Sequence, residues 1–314
     1  MLSAEQWSDY DRDGFLDLGR VVDDGDLIEL RRRADDLALG VVRNPLIEMQ
    51  LDTGGEYEAL AGAVSQFDQQ TLLYRKIQGL QFDDVFAKIL DDRLWRWIAG
   101  QAYGPHASVS IFRAMIMNKP ANQGTLLPWH QDGGDVWALD RDPLVTIWIA
   151  LDRATIDNGC VEVIPGSHRL GLLSTFGSTL RDEDVAQHCA ADAIRHLEVD
   201  EGHAVLMHNW LIHRSGINVT GHPRRAFTFC LMDGRTTSTL TGDRFPMLFG
   251  AAPTIEPHVR QLQTDVATLR ALRAEAEEYA LSLRAANDVL EASIAEATAY
   301  ARTLEDELRG ERQR

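Results

Sequence analysis

Cysteine is scarce in this chain. Cys160, Cys189 and Cys230 are the three in 314 residues, an odd number with no C-x-x-C pair. That excludes a disulfide framework or a thiolate zinc site as the organising device, and it favours a reducing, cytoplasmic setting. Long apolar runs are also missing, and none approaches the roughly twenty residues of a membrane-spanning helix. The opening stretch MLSAEQWSDYDRDGF lacks the basic and apolar regions of a secretory signal. Positive charge is outnumbered, with 31 Lys and Arg against 48 Asp and Glu and a net charge of -17. Such a balance excludes nucleic acid or anionic lipid as a partner held by bulk electrostatics, while a local basic pocket stays open. Finally, glycine and proline vanish between Val259 and Leu308.

What is present falls into three textures. With 45% hydrophobic and 25% charged residues the chain suits a globular protein with a sizeable core. Residues 1 to about 100 read as mostly helical: Ser3 can cap AEQW, GFLDLGRVV resembles a short strand, and two amphipathic segments follow before Gly104-Pro105. From about 107 to 235 come short strand-like runs separated by turn signals such as DNG and PGSH, interrupted by RDEDVAQHCAADAIRHLEVD. Regularly spaced strands without helices between them predict an antiparallel sandwich or barrel. Beyond Pro257, apolar or alanine residues recur in steps of three and four from Val259 to Leu308, the spacing of a coiled-coil seam. The organisation expected is a catalytic domain over 1–254 and a coiled-coil helix over 255–314. A single helix folded back on the domain is the alternative to an oligomerising stalk.

The chemistry begins at LPWHQDGGDVW. In an extended strand, His130 and Asp132 share a face, which places an imidazole beside a carboxylate, half of a metal site. Two histidines and one carboxylate with open positions opposite form the ligand set of non-haem Fe(II) oxygenases. The second histidine lies among His203, His208, His213 and His222, and spacing alone does not choose among them. An oxygenase using 2-oxoglutarate also needs a planar cation for the far carboxylate. In RRAFTFCLMD, Arg224 shares a face with Ala226, Thr228 and Cys230, which leaves room for a ligand, whereas Arg225 aligns with Phe227, Phe229 and Leu231.

The segments KIQGLQ, MIMNKPANQG, WHQDGG, TIWIALD, NGCVEVIPGSH and HRSGINVTGHPRRA, in this order, resemble the phytanoyl-CoA dioxygenase family over roughly residues 70 to 235. In that family the distal histidine precedes the cosubstrate arginine by eleven positions, which selects His213 ahead of Arg224. The resemblance implies a double-stranded β-helix, or jelly roll, with iron on His130, Asp132 and His213. It also implies that Lys76, Met115, Gln131, Trp148, Ser215 and Arg224 surround 2-oxoglutarate. Taken from the residues alone, Met115 and Trp148 suit a core and Lys76 a surface charge beside Arg75. His168, in PGSH, is expected to line the mouth or brace a turn.

What the resemblance implies chemically is use of Fe(II), 2-oxoglutarate and O2, with release of succinate and CO2 and hydroxylation of an unactivated carbon. Asp132 stands where halogenating relatives carry a small residue, which disfavours halogenation. The substrate is not legible; a small molecule or a lipid- or glycan-linked compound fits, and Lys119, Arg141, Arg153 and Arg169 read as scattered charges. Two other readings use the same residues: a cupin-type hydrolase or isomerase on another divalent ion, and a non-catalytic scaffold for the coiled coil. Association of copies, or with other enzymes of a pathway, is expected through the stalk. Removing residues from about 258 onward should lower the oligomeric mass seen by light scattering and spare catalysis. An unchanged mass would exclude the stalk.

Overall fold

Every residue of the strand Val145–Ala150 is buried, so this strand is covered on both faces. Ile147 and Ile149 enter one hydrophobic cluster, Trp148 and Ala150 another. That split organises the catalytic unit. The computed structural model describes residues 2–52, 54, 67–173 and 179–250, with separate positions between 269 and 298. The chain divides into two units, Met1–Thr239 with Asp243–Thr254, and Leu240–Gly242 with Ile255–Arg314.

In the first unit the strands are β1 (Phe15–Arg20), β2 (Glu48–Leu51), β3 (Tyr74–Gln78), β4 (Val109–Lys119), β5 (Leu127–His130), β6 (Val145–Ala150), β7 (Val161–Val163), β8 (Arg195–Leu197), β9 (His203–His208), β10 (His213–Ser215), β11 (Arg224–Asp233) and β12 (Met247–Phe249). An eight-stranded antiparallel sheet runs β1-β9-β6-β11-β4-β3-β2, with β12 also on β4, and a four-stranded sheet runs β5-β10-β7-β8. The unit is mostly β with flanking helices, a jelly-roll-like sandwich. Trp148, Val205, Met207 and Ala226 of the large sheet meet Cys160, Val161, Val163 and Leu197 of the small-sheet side.

The other face of the large sheet is covered by helices. These are α1 (Ala4–Asp13), α2 (Asp24–Ala38), α3 (Asp84–Leu90) and α4 (Arg93–Tyr103); α5 (Asp182–His188) lies in the insert. Ser3 caps α1 in a reciprocal capping box with Gln6, and Asp23, Asp83 and Asp92 cap the next three through backbone N–H groups. On α2 the buried residues Leu27, Leu30, Ala34, Leu37 and Ala38 form one stripe. They join Phe86, Trp95, Phe227 and Phe229 in the larger core.

Helices make up most of the regular structure in the first hundred residues, and the short strand expected in GFLDLGRVV is β1; β2 and β3, which were not expected, also join the large sheet, so the sandwich reaches beyond 107–235 on both sides. Tyr74 to Gln78 carries no clean alternation because Tyr74, Arg75 and Ile77 are all buried, and its strand character comes from pairing with β4. In the second unit, Leu269, Leu272, Leu283, Leu290 and Ile294 are helical and exposed; the remainder of the expected coiled coil lies outside the described residues. Among the described residues no helix is long and apolar enough to cross a membrane.

Candidate active site

Antiparallel pairing of β5 with β10 sets His213 directly opposite His130, with ring centroids 4.0 Å apart. Asp132 follows β5 and is anchored by its own N–H, which donates to the Asn209 carbonyl at 2.8 Å. Each imidazole Nε2 lies 3.9 Å from a carboxylate oxygen of Asp132. That is too long for a hydrogen bond and suits three ligands around one shared ion. All three ligand atoms fall within 4.8 Å of one another.

The two rings are oriented from behind. Nδ1 of His130 lies 2.8 Å from the Pro128 carbonyl and Nδ1 of His213 lies 2.9 Å from the Leu211 carbonyl. With Nδ1 carrying the proton to those carbonyls, Nε2 presents its lone pair to the site. Burial, followed by the neighbouring His213, holds the His130 pKa well below its ordinary value, so this imidazole is neutral, as ligation requires. After Asp132 the chain turns at Gly133 with φ +150°, where a Cβ would stand 2.8 Å from the Asp142 carboxylate. Glycine there admits Asp142, which accepts from Gly134 N–H and Trp210 Nε1 and fastens the turn.

The ligands open onto a cavity between the sheets, whose charged lining comprises Asp52, Asp132, Arg75, Lys76, Arg113, Lys119, Arg214 and Arg224. Six basic side chains against two carboxylates line it, the reverse of the balance in a chain of net charge -17. Arg224 is 2% exposed, donates from Nη2 to the Gly159 carbonyl at 2.7 Å, and its buried Nε–H has no partner among the described residues. Burial lowers its pKa to about 10, which leaves it cationic at neutral pH. Gly159, at φ +76°, could not carry a side chain, since its Cβ would lie 2.5 Å from the Gly216 carbonyl and 2.9 Å from the Lys119 chain. Lys119 passes through that gap, ends 2.8 Å from the Thr125 carbonyl, and is pushed down to about 6 by burial, then by Arg224 and Arg75. Lys76, on β3, is lowered to about 8 by burial, then by Arg75 and Arg113.

The family model for phytanoyl-CoA dioxygenase matches residues 10–226, a span that contains the whole constellation. The chain belongs to the phytanoyl-CoA dioxygenase family. The enzyme is accordingly a non-haem Fe(II)- and 2-oxoglutarate-dependent dioxygenase, an oxidoreductase, and the convergent His-Asp-His cluster is suited to the iron. A probable phytanoyl-CoA dioxygenase of Caenorhabditis elegans is 26% identical over 238 residues, 73% of this chain and 74% of that protein. The L-proline trans-4-hydroxylase of Streptomyces griseoviridis is 28% identical over 239 residues, 68% of this chain and 81% of that one. In fold, EctD of S. alaskensis, solved with 2-oxoglutarate and 5-hydroxyectoine, superposes with a TM-score of 0.58 at 22% identity, covering 81% of this chain and 82% of its own. The carbocyclase SnoK from nogalamycin biosynthesis gives 0.58 at 19% identity, covering 76% and 86%.

Of the residues singled out from this dioxygenase's sequence, His130, Asp132, His213, Lys76, Met115, Trp148, Ser215 and Arg224 all line the one cavity. Gln131 does not line it, which corrects the expectation that it surrounds 2-oxoglutarate. Strand alternation turns it away from its two neighbours, and its amide donates to the Gly171 and Trp210 carbonyls and accepts from Leu173 N–H. His168 lies against His208 and reaches the Asp11 carbonyl at 3.2 Å; it braces α1. Among the residues grouped as scattered charges, Lys119 is buried and belongs to the cavity. Its period-two relation to Met115 and Met117 along β4 was the available signal. Arg75, Arg113 and Asp52 were missed as well, and nothing local marks them. Replacing Gln131 with Ala is expected to cost roughly 1–3 kcal/mol in denaturant unfolding, because three partly buried backbone groups lose their partner, while iron affinity changes far less than in Asp132→Ala. Unaltered stability would return Gln131 to the cavity.

Proposed function

We propose that His130, Asp132 and His213 hold Fe(II), that Arg224 takes the far carboxylate of 2-oxoglutarate, and that the product is a hydroxylated small molecule. The observation that carries this is one cavity holding a three-ligand cluster with both rings aimed from behind and a buried arginine with an unpartnered Nε–H. When bound, iron and 2-oxoglutarate supply oxidation by O2, which splits the cosubstrate into succinate and CO2 and places one oxygen atom in a C–H bond. The protein holds this chemistry in position and needs no nucleophile of its own.

Within this reading each side chain has a task. The Pro128 and Leu211 carbonyls keep the imidazoles from turning. Arg224 is stiffened by Gly159 on one side, and Trp148 lies beside it with 5.7 Å between guanidinium carbon and ring centroid. A planar fork so held receives a carboxylate with little ordering cost. Ser215, 5% exposed on β10, offers a hydroxyl to the same carboxylate, and Lys119 a second cation. Met115, Met117 and Trp148 form an apolar wall that keeps water from the cosubstrate. Lys76 reaches the cavity from β3 on the Asp132 side.

The substrate reading stays at the level of a small molecule, in keeping with relatives named for L-proline and for phytanoyl-CoA; a lipid- or glycan-linked compound fits the same cavity. We place the catalytic domain at 1–254 in a cytoplasmic enzyme, with residues 255–314 as the stalk that joins copies or pathway partners. Asp132→Ala should abolish succinate formation, and turnover retained in that variant would overturn the ligand assignment. A second expectation follows from Lys119. With its pKa near 6 the free amine is mostly neutral at neutral pH, and a dianion arriving beside it favours the ammonium form. Binding of 2-oxoglutarate then takes up a proton, and affinity falls as pH rises above about 6 towards the ordinary lysine range. Calorimetry in two buffers of different ionisation heat should show that uptake in the wild type. Lys119→Met should lose it and bind about tenfold more weakly; equal enthalpies in both buffers for the wild type would remove Lys119 from the clamp.

A further inference from the structure

The three side chains assigned to the metal are not held alike. His130 and His213 sit in strands of the small sheet and face each other across its ladder. Asp132 lies two residues past the end of β5, outside that ladder. Its N–H donates instead to the Asn209 carbonyl at 2.8 Å, and the N–H of Asn209 donates to the Leu144 carbonyl at 3.2 Å. Leu144 precedes β6 and Asn209 follows β9, two paired strands of the large sheet. The carboxylate is therefore referred to the large sheet and the imidazoles to the small one. Their separation depends in the first place on how firmly Asn209 is fixed.

What fixes Asn209, a buried residue, is its side chain. The Thr146 hydroxyl donates to Asn209 Oδ1 at 3.0 Å, and Asn209 Nδ2 donates to Cys230 Sγ at 3.9 Å, a long contact with a weak acceptor. Thr146 stands directly opposite Cys230 across β6 and β11, with 3.1 Å between Oγ1 and Sγ. A hydroxyl has one proton to give, and that of Thr146 goes to Asn209, so the thiol is the donor to Thr146. Burial, then the Asp132 charge, pushes this thiol up to about 12, so it has the proton to donate. Each of the three groups thus gives one hydrogen bond and receives one, and head-to-tail bonds in a buried ring polarise one another. Thr146 takes part in both short bonds, and the ring depends on it most. Thr146 and Cys230 line the cavity.

We propose that Thr146 and Asn209 are positioning residues for the metal centre: the ring they close with Cys230 fixes the Asn209 main chain, which sets the Asp132 carboxylate against the two imidazoles. This proposal rests on the reading of His130, Asp132 and His213 as metal ligands. Thr146 and Asn209 act through Asp132 rather than on the metal. The ring also uses the donors that Thr146 and Cys230 would otherwise show to the cavity, so this part of its wall has no hydrogen to share with a bound molecule.

The test is a titration of the full-length, metal-free protein with Co(II), read by the visible d–d spectrum, which reports the number and arrangement of ligands. Thr146→Val keeps the shape and removes donor and acceptor together, whereas Thr146→Ser keeps both. Thr228→Val is the matched control: Thr228 also lines the cavity, and its hydroxyl donates to the Ile147 carbonyl at 2.9 Å, outside the ring. Thr146→Val is expected to bind Co(II) about tenfold more weakly and with an altered spectrum, and Thr146→Ser to restore both. Asn209→Ala should repeat the Thr146→Val result, and it carries the test if Thr146→Val does not fold. Thr228→Val should bind as the wild type does, even where its denaturant midpoint falls as far. Wild-type affinity and spectrum in Thr146→Val or Asn209→Ala, no restoration by Thr146→Ser, or an equal loss in Thr228→Val would overturn the positioning role alone. Failure of the wild type to bind Co(II) at all would overturn the reading of the site and this proposal with it.

Discussion

The structure depends on one backbone pairing, that of β5 with β10. It sets two histidines 83 positions apart opposite each other, and it does so with main-chain hydrogen bonds that are indifferent to side chains. The ladder is short, so its register is reinforced: Asp132 N–H to the Asn209 carbonyl, Ile164 N–H to the Ile212 carbonyl and Ile212 N–H to the Ser167 hydroxyl hold both strand ends. A slip by one residue would send one imidazole to the opposite face of the sheet. Gln131 serves the same constraint from the far side, where its amide ties segments on either side of the ligands.

The second organising constraint is electrostatic. An acidic chain gathers six basic side chains around one cavity, and several of them are buried. Burial disfavours a charged group unless something of opposite sign arrives. The depressed Lys76 and Lys119 record that cost. Other carboxylates have partners of their own: Asp152 with Arg225 and Arg31, Asp83 with Arg33, and Glu162 with the cavity-lining Arg214. A cavity of this sign is preorganised for anions, and its donors are fixed by strand positions.

Much of this was legible in the sequence, for reasons tied to particular residues. Alternation along RRAFTFCLMD separated Arg224 from Arg225, and the structure keeps them on opposite faces: Arg224 in the cavity, Arg225 with Asp35 and Asp152. The same logic failed for Gln131, because a resemblance assigns a position to a site without saying which way the strand turns it. Lys119 was passed over as one of several scattered charges; its burial comes from Gly159 and Gly124 leaving a channel for its stem. Arg113 was unreadable, because it sits where β4 slips in register against β11, and such a bulge is a property of two strands that no local pattern in SIFRAMIM announces.

By itself the sequence determined the alternating strands, the capped helices, the H-x-D pair and the family whose motifs follow in order. Those are properties of local spacing, and local spacing is written along the chain. Only the tertiary structure decided the register that sets His213 opposite His130, how far the large sheet extends into the first hundred residues, and that distant basic side chains share one interior. These depend on strand register and on which residues close approach leaves room for, and both arise when segments far apart in sequence pack together.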